Sequence, residues 1–209
     1  MMRSVLAIGA LLLAVPMSVG AQSFVSQTLS QTRTLIETNK PDVAVSYQYM
    51  RSNTQPGACG CFALNGAGLS ASWRLPYRLT AVAEGDLDFA SDGPGTGNSM
   101  TLFSGLGGAR YALPVHVPIP HAPQLFAEAM GGFGHAGGGI AGAADGSFGF
   151  VGRLGGGFDE VVAEPFAARF EVAYEPTTFA NGANNHQNNL LISVGFVFRW
   201  SRLGKPVGN

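Results

Sequence analysis

Tyr77-Arg78-Leu79-Thr80-Ala81-Val82-Ala83-Glu84-Gly85-Asp86-Leu87-Asp88-Phe89 is the stretch that decides the fold. Tyr77, Leu79, Ala81, Ala83, Leu87 and Phe89 fall on one parity, and Arg78, Thr80, Glu84, Asp86 and Asp88 on the other. A helix, with 3.6 residues per turn, would mix the two sets, whereas a strand, with a period of 2, separates them onto opposite faces. The stretch reads as a strand with an apolar face and a charged one.

The same alternation recurs along the chain. Residues 43–50 set Val43, Val45, Tyr47 and Tyr49 against Ala44, Ser46, Gln48 and Met50, and residues 67–75 set Leu69, Ala71 and Trp73 against Ser70, Ser72 and Arg74. After the quoted run, residues 101–113 oppose Phe103, Ala109 and Tyr111 to Ser104 and Arg110, and residues 124–135 oppose Leu125, Ala127, Ala129 and Phe133 to Glu128. Phe148, Phe150, Leu154 and Phe158 stand against Arg153 and Asp159, then Phe170, Val172 and Tyr174 against Arg169, Glu171 and Glu175. Finally Leu190, Ile192, Val194, Phe196, Phe198 and Trp200 stand against Ser193, Gly195 and Arg199. These eight runs match the roughly 9–11 residues with which a tilted strand crosses the hydrocarbon layer of a bilayer. In lipid a sheet must close, because an open edge leaves backbone groups without partners.

Composition agrees with that setting. Charged residues make up 12% of the 209, about half of the ~25% usual in a soluble domain. Glycine accounts for 30 residues, about twice its usual ~7% share. A formal net charge of -1 with no Lys/Arg cluster excludes a nucleic-acid partner, whose phosphates demand a basic face. A soluble barrel would turn the apolar face inward and the charged face to water. Three features favour the opposite sense: few charges for a watery exterior, small residues on the polar face, and aromatics near the strand ends. Trp73, Tyr77, Tyr111, Phe158, Phe166 and Trp200 gather at one rim and Tyr49, Phe89, Phe133, Phe148 and Tyr174 at the other, as two interfacial girdles require. Links at Leu75-Pro76, 113–123 and 160–165 are short or proline-bearing, and they interleave with polar or glycine- and asparagine-rich links at 52–61, 90–98, 136–146 and 176–188. The expected fold is all-β, an eight-stranded antiparallel transmembrane up-and-down β-barrel over residues 42–200.

The segments outside the barrel have their own readings. Met1-Met2-Arg3-Ser4, an apolar stretch over residues 5–19 and Val19-Gly20-Ala21 make a secretory signal peptide over residues 1–21, cut after Ala21. Pro16, Ser18 and the shortness of the stretch argue against a spanning helix. Residues 22–41 read as a loosely ordered periplasmic lead-in, and residues 201–209 as a short C-terminal tail.

Three strings in the last third carry a family resemblance: Gly155-Gly156-Gly157-Phe158-Asp159, then Phe166-Ala167-Ala168-Arg169-Phe170-Glu171-Val172-Ala173-Tyr174, then Gln187 through Trp200. They resemble the closing strands of small OmpA-like outer-membrane barrels, in which a glycine-rich strand turns into "FxxRxE" and a final strand ends in aromatics spaced by two. The resemblance covers residues 42–200 in pattern and is strongest from Gly155 onward. It implies an eight-stranded barrel in the Gram-negative outer membrane, in contact with lipid and lipopolysaccharide and inserted by the barrel-assembly machinery. Two departures matter: nine residues follow Trp200, and no peptidoglycan-binding domain follows the barrel, so cell-wall tethering is not implied.

The candidate functional residues form a lumen charge network: Arg74, Arg78, Arg110, Arg153, Arg169 and Arg199 with Glu84, Asp86, Asp88, Glu128, Asp159, Glu171 and Glu175. Buried charges must be paired, so these are expected to plug a narrow lumen rather than act as acid and base, since no nucleophile stands beside them. Lipid A hydrolase chemistry would need a histidine with an adjacent serine or carboxylate. His135 and His186 sit in glycine- or asparagine-rich surroundings without one, and His116 and His121 in a proline-rich link. The chain is therefore expected not to be an enzyme and to need neither cofactor nor metal. Its expected role is structural or surface-interacting, with an unidentified surface ligand; the alternatives are a narrow porin-like channel or a lipid A-modifying enzyme. Cys59-Gly60-Cys61 meets an oxidising space after export, so the pair reads as one disulfide rather than a thiolate pair for a soft metal, which would want a further ligand nearby.

Overall fold

Alternation dictates strands, and β-branched and aromatic residues fill their outward positions, where a pleated surface accommodates them. In the computed structural model, which describes residues 40–53, 61–91, 99–115, 123–138, 146–179 and 186–200, the strands are eight. They are β1 (Asp42–Asn53), β2 (Cys61–Arg74), β3 (Leu79–Ala90), β4 (Met100–Ala112), β5 (Gln124–Gly138), β6 (Ser147–Ala163), β7 (Phe166–Thr177) and β8 (Gln187–Phe198). Each pairs antiparallel with its chain neighbour, and β1 pairs with β8, closing the barrel in the order β1 to β8. Closure leaves no edge strand with unpaired N–H and C=O groups.

The signal peptide, the lead-in up to residue 39, the tail, Cys59, the side chain of Cys61, His116 and His121 lie outside the described residues. Elsewhere the strands run longer than the sequence suggests. β2 begins at Cys61 rather than near Ala67, and β6 continues to Ala163 through an irregularity in its pairing with β7 between Val161 and Ala163. β5 continues past His135, the end of the fifth alternating run, to Gly138, and His135 points outward.

A further correction concerns Tyr77 and Arg78. Both lie in the turn between β2 and β3 with φ of 61° and 63°, and β3 starts only at Leu79. Leu75 donates its N–H to the Leu79 carbonyl and Leu79 donates its own to the Pro76 carbonyl, so the strands are joined through Pro76, Tyr77 and Arg78 by a turn with positive φ at both central positions, as in a type I′ turn. Alternation could not show this break, because the three residues between the paired Leu75 and Leu79 preserve the parity of the flanking strands. Arg78 is consequently exposed at the barrel mouth instead of facing the lumen.

The exterior is apolar. Val45, Tyr47, Leu69, Phe89, Phe103, Phe148, Leu154, Tyr174, Val194 and Phe196 are all exposed large hydrophobics. An apolar surface this continuous is a liability in water and the normal outer band of a membrane-spanning barrel. Aromatics contact one another across strands: Phe133 stacks on Phe148, and Phe158 packs on Phe170. At the mouth Phe166, Phe198 and Trp200 form a run of ring contacts, and Lys40 lies over the Trp200 ring. Cation–π contacts of this kind suit the boundary between lipid and water.

Candidate functional site

Inward positions alternate with these outward ones, so the lumen holds what the exterior excludes. Gln48 of β1, Asp86 and Asp88 of β3, Ser104 of β4, Arg110, Glu128, Arg153, Arg169, Glu171, Glu175 and Ser193 are all buried. They are arranged in levels along the barrel axis.

Arg153 holds the middle level. From β6 its guanidinium reaches across the lumen to β3, with Nη1 2.7 Å from Glu84 Oε1 and Nη2 2.7 Å from Asp86 Oδ2, while Nη2 also lies 2.6 Å from Glu175 Oε2 on β7. Arg153 Nε donates to the same Glu175 oxygen at 2.8 Å. Gln48 Nε2 donates to Asp86 Oδ1 at 2.7 Å and Ser104 Oγ to Asp86 Oδ2 at 3.2 Å. These charge-assisted bonds join β1, β3, β4, β6 and β7 through one arginine, whose planar fork of five donors suits several carboxylates at once. The level exists because small residues leave room for it. A Cβ on Gly68 would stand 2.4 Å from Gln48 Nε2 and 2.7 Å from Asp86 Oδ1, so a larger residue there would displace the ends of those side chains.

Below it, toward the mouth, Arg110 Nη2 meets Glu128 Oε2 at 2.6 Å and Glu171 Oε2 at 3.8 Å. Arg169 makes a two-pronged contact with Asp159, both N···O distances being 2.7 Å. Both guanidiniums lie over the ring of Phe126, at 4.3 Å and 5.3 Å from its centroid. Seven buried or half-buried carboxyl groups face Arg110, Arg153 and Arg169, and both oxygens of Asp88 are buried without a hydrogen-bond partner among the described residues. Arg74 and Arg199 stand outside this cluster, at the mouth: Arg74 pairs with Asp42 at 3.2 Å and Arg199 with Glu164 at 3.6 Å.

From the level of Arg153 toward the long loops, the lumen is packed with apolar side chains beside a few buried polar ones, Ser52, Asp88, Thr177, Gln187 and Asn189. Met50, Leu64, Ala90, Met100, Leu102, Leu106, Met130, Ala136, Val151 and Leu191 form one buried cluster, and Phe179, just beyond β7, packs into it. Its signal in the sequence is a set of large apolar residues on the otherwise polar parity, such as Met50, Leu102, Leu106 and Met130. Phe179 carries no such signal, because it follows the strand and returns to the lumen.

No protein-family model and no curated protein matches the sequence. Among solved structures, Neisserial surface protein A is similar over 77% of this chain and 97% of its own, at 15% identity and a TM-score of 0.62. This is the fold of the small outer-membrane β-barrels. The Yersinia pestis attachment invasion locus protein Ail aligns over 76% of this chain and 98% of its own, at 12% identity and a TM-score of 0.47. The N-terminal β-barrel domain of Pseudomonas aeruginosa OprF aligns over 77% and 99%, at 15% identity and a TM-score of 0.44. An eight-stranded barrel has a lumen just wide enough for side chains to fill or for one small ligand, and this one packs its middle and loop-side levels with the side chains just described.

Proposed function

We propose that this chain is an outer-membrane barrel with a structural or surface-interaction role and a lumen that does not conduct. The observation that carries the proposal is the pair of barriers in series: the Arg153 cluster spanning the lumen and the apolar cluster above it. An ion crossing would have to displace an arginine held by three carboxylates and then push apart closely packed, largely apolar side chains, and each step is costly. The lipid-facing exterior supports outer-membrane residence, with lipid and lipopolysaccharide as surroundings and the assembly machinery as the route of insertion. The long loops at the sealed end provide the surface available to a partner.

An enzymatic role finds no support in the geometry. Among the described residues, His135 points outward from β5 while Glu84, Asp86, Glu128, Glu171 and Glu175 point into the lumen, so the barrel wall separates this histidine from those carboxyl groups.

Fractionation and electrophysiology test the proposal together. The protein should remain in the membrane pellet after carbonate washing and migrate faster on a gel unboiled than boiled. Reconstituted in planar bilayers, it should show no stable conductance steps. Release into the carbonate supernatant would refute the membrane assignment, and discrete steps that change when Arg153 is replaced would establish the channel.

A further inference from the structure

The mouth of the barrel is built differently from its sealed end. There the lumen opens into a cavity of about 400 Å³ whose wall includes Arg74, Arg78, Arg110, Arg169 and Arg199, against Asp42 and Asp159 as the acidic members. Ligand pockets commonly measure about 300–1,000 Å³, so the space is large enough for a small molecule. Its back is lined by Arg110, Phe126 and Arg169, the mouth-side level of the lumen charges.

Arg78 is the feature that sets this recess apart. It occupies the second central position of the β2–β3 turn, with φ of 63°, where glycine or asparagine normally sits because L side chains crowd the backbone there. An arginine at that position costs roughly 1 kcal/mol of backbone strain relative to glycine. It gains no ion pair in return among the described residues, and it stands exposed at the rim of the cavity. Such strain at a cation facing a recess is explained by a ligand more readily than by folding. Behind it the buried guanidinium of Arg169, fixed by Asp159 and laid over Phe126, is a preorganised second cation. Leu75, Leu79, Val161 and Val197 supply apolar wall between them.

We infer that the mouth recess binds a small organic anion carrying more than one negative charge, with Arg78 as its entry contact and Arg169 at its back. Guanidiniums recognise phosphate and carboxylate oxygens through paired N–H donors, and both chemistries fit. With the short turns on the periplasmic side and the long loops outside, as in outer-membrane barrels, the recess opens to the periplasm, so the ligand arrives from that aqueous side.

The test uses the folded barrel in a zwitterionic detergent, titrated by calorimetry with inorganic pyrophosphate and, separately, with citrate. At least one should bind saturably with one site per barrel. Pyrophosphate alone would assign the site to phosphate, citrate alone to carboxylates, and both to multivalent anions generally. The decisive variant is Arg78→Gly, which relieves the turn and so retains the fast-migrating unboiled band, but should weaken binding at least tenfold. Arg51→Gln, an exposed arginine near the opposite end of β1, should leave binding unchanged. Failure of both probes to saturate, undiminished binding by Arg78→Gly, or equal loss in Arg51→Gln would overturn the inference. Because binding is measured on the folded barrel, that outcome would leave the non-conducting reading standing.

Discussion

Arg153 is a single side chain that ties β6 to β3 and β7 across the lumen, and all of its charged partners are nearly or fully buried. Removing one partner of a buried ion pair is far worse than replacing the whole group, because the remaining charges are stranded. Arg153→Met should therefore lower the unfolding free energy in denaturant titrations by about 3–5 kcal/mol. Adding Glu84→Gln, Asp86→Asn and Glu175→Gln to that variant should recover a large part of the loss. A fourfold variant no more stable than Arg153→Met would show that the cluster is not what holds these strands. At this scale the sequence was informative about which residues are charged and on which parity they stand. It could not say that Arg153 meets Glu84 rather than Asp159, since cross-lumen partners depend on how far the strands are staggered around the barrel. Gln48, Ser104 and Phe126 were missed as members of the site for the same reason: nothing distinguishes their local pattern from that of other inward positions.

Strands were the most legible elements, because alternation is a local property and all eight carry it. Their ends were less so: β2 and β6 extend past the alternating core, and the β2–β3 turn hides inside a run of unbroken parity. The direction of the two faces has a direct consequence for substitutions. Val194, in the central part of β8, points outward and is about half exposed, at 48%. On a soluble surface an arginine there would be tolerated or would improve solubility. On the lipid face near the midplane it should destabilise by roughly 2–4 kcal/mol. Val194→Arg should thus lower the folded fraction in phospholipid vesicles, read from the unboiled gel band, while Arg51→Gln on the same surface near the loop end should not. A Val194→Arg protein as stable in vesicles as the wild type would place that face outside the hydrocarbon layer.

For the whole molecule, the lumen is graded from end to end: a recess lined by arginines at the mouth, paired charges at mid-height and a packed seal, apolar with a few buried polar side chains, under the long loops. The gradation reconciles two demands on a small barrel, since its few inward positions must fill the interior tightly while leaving one end hydrated. The seal contains three thioethers, Met50, Met100 and Met130, with exposures of 1%, 2% and 6%. Peroxide reaches a methionine sulfur only through solvent, and the sulfoxide it forms is polar and disrupts apolar packing. In the folded state these three sulfurs should therefore be oxidised only during rare openings of the sealed end, so that peptide-level mass spectrometry after timed exposure to hydrogen peroxide reads out how often the barrel breathes. Rates at the three positions that match those of the urea-unfolded chain would mean that the end is not sealed. Once one sulfoxide forms, water gains a foothold among the remaining apolar side chains, and the second and third oxidations should proceed faster than the first, giving the protein a memory of its oxidative history written in methionine.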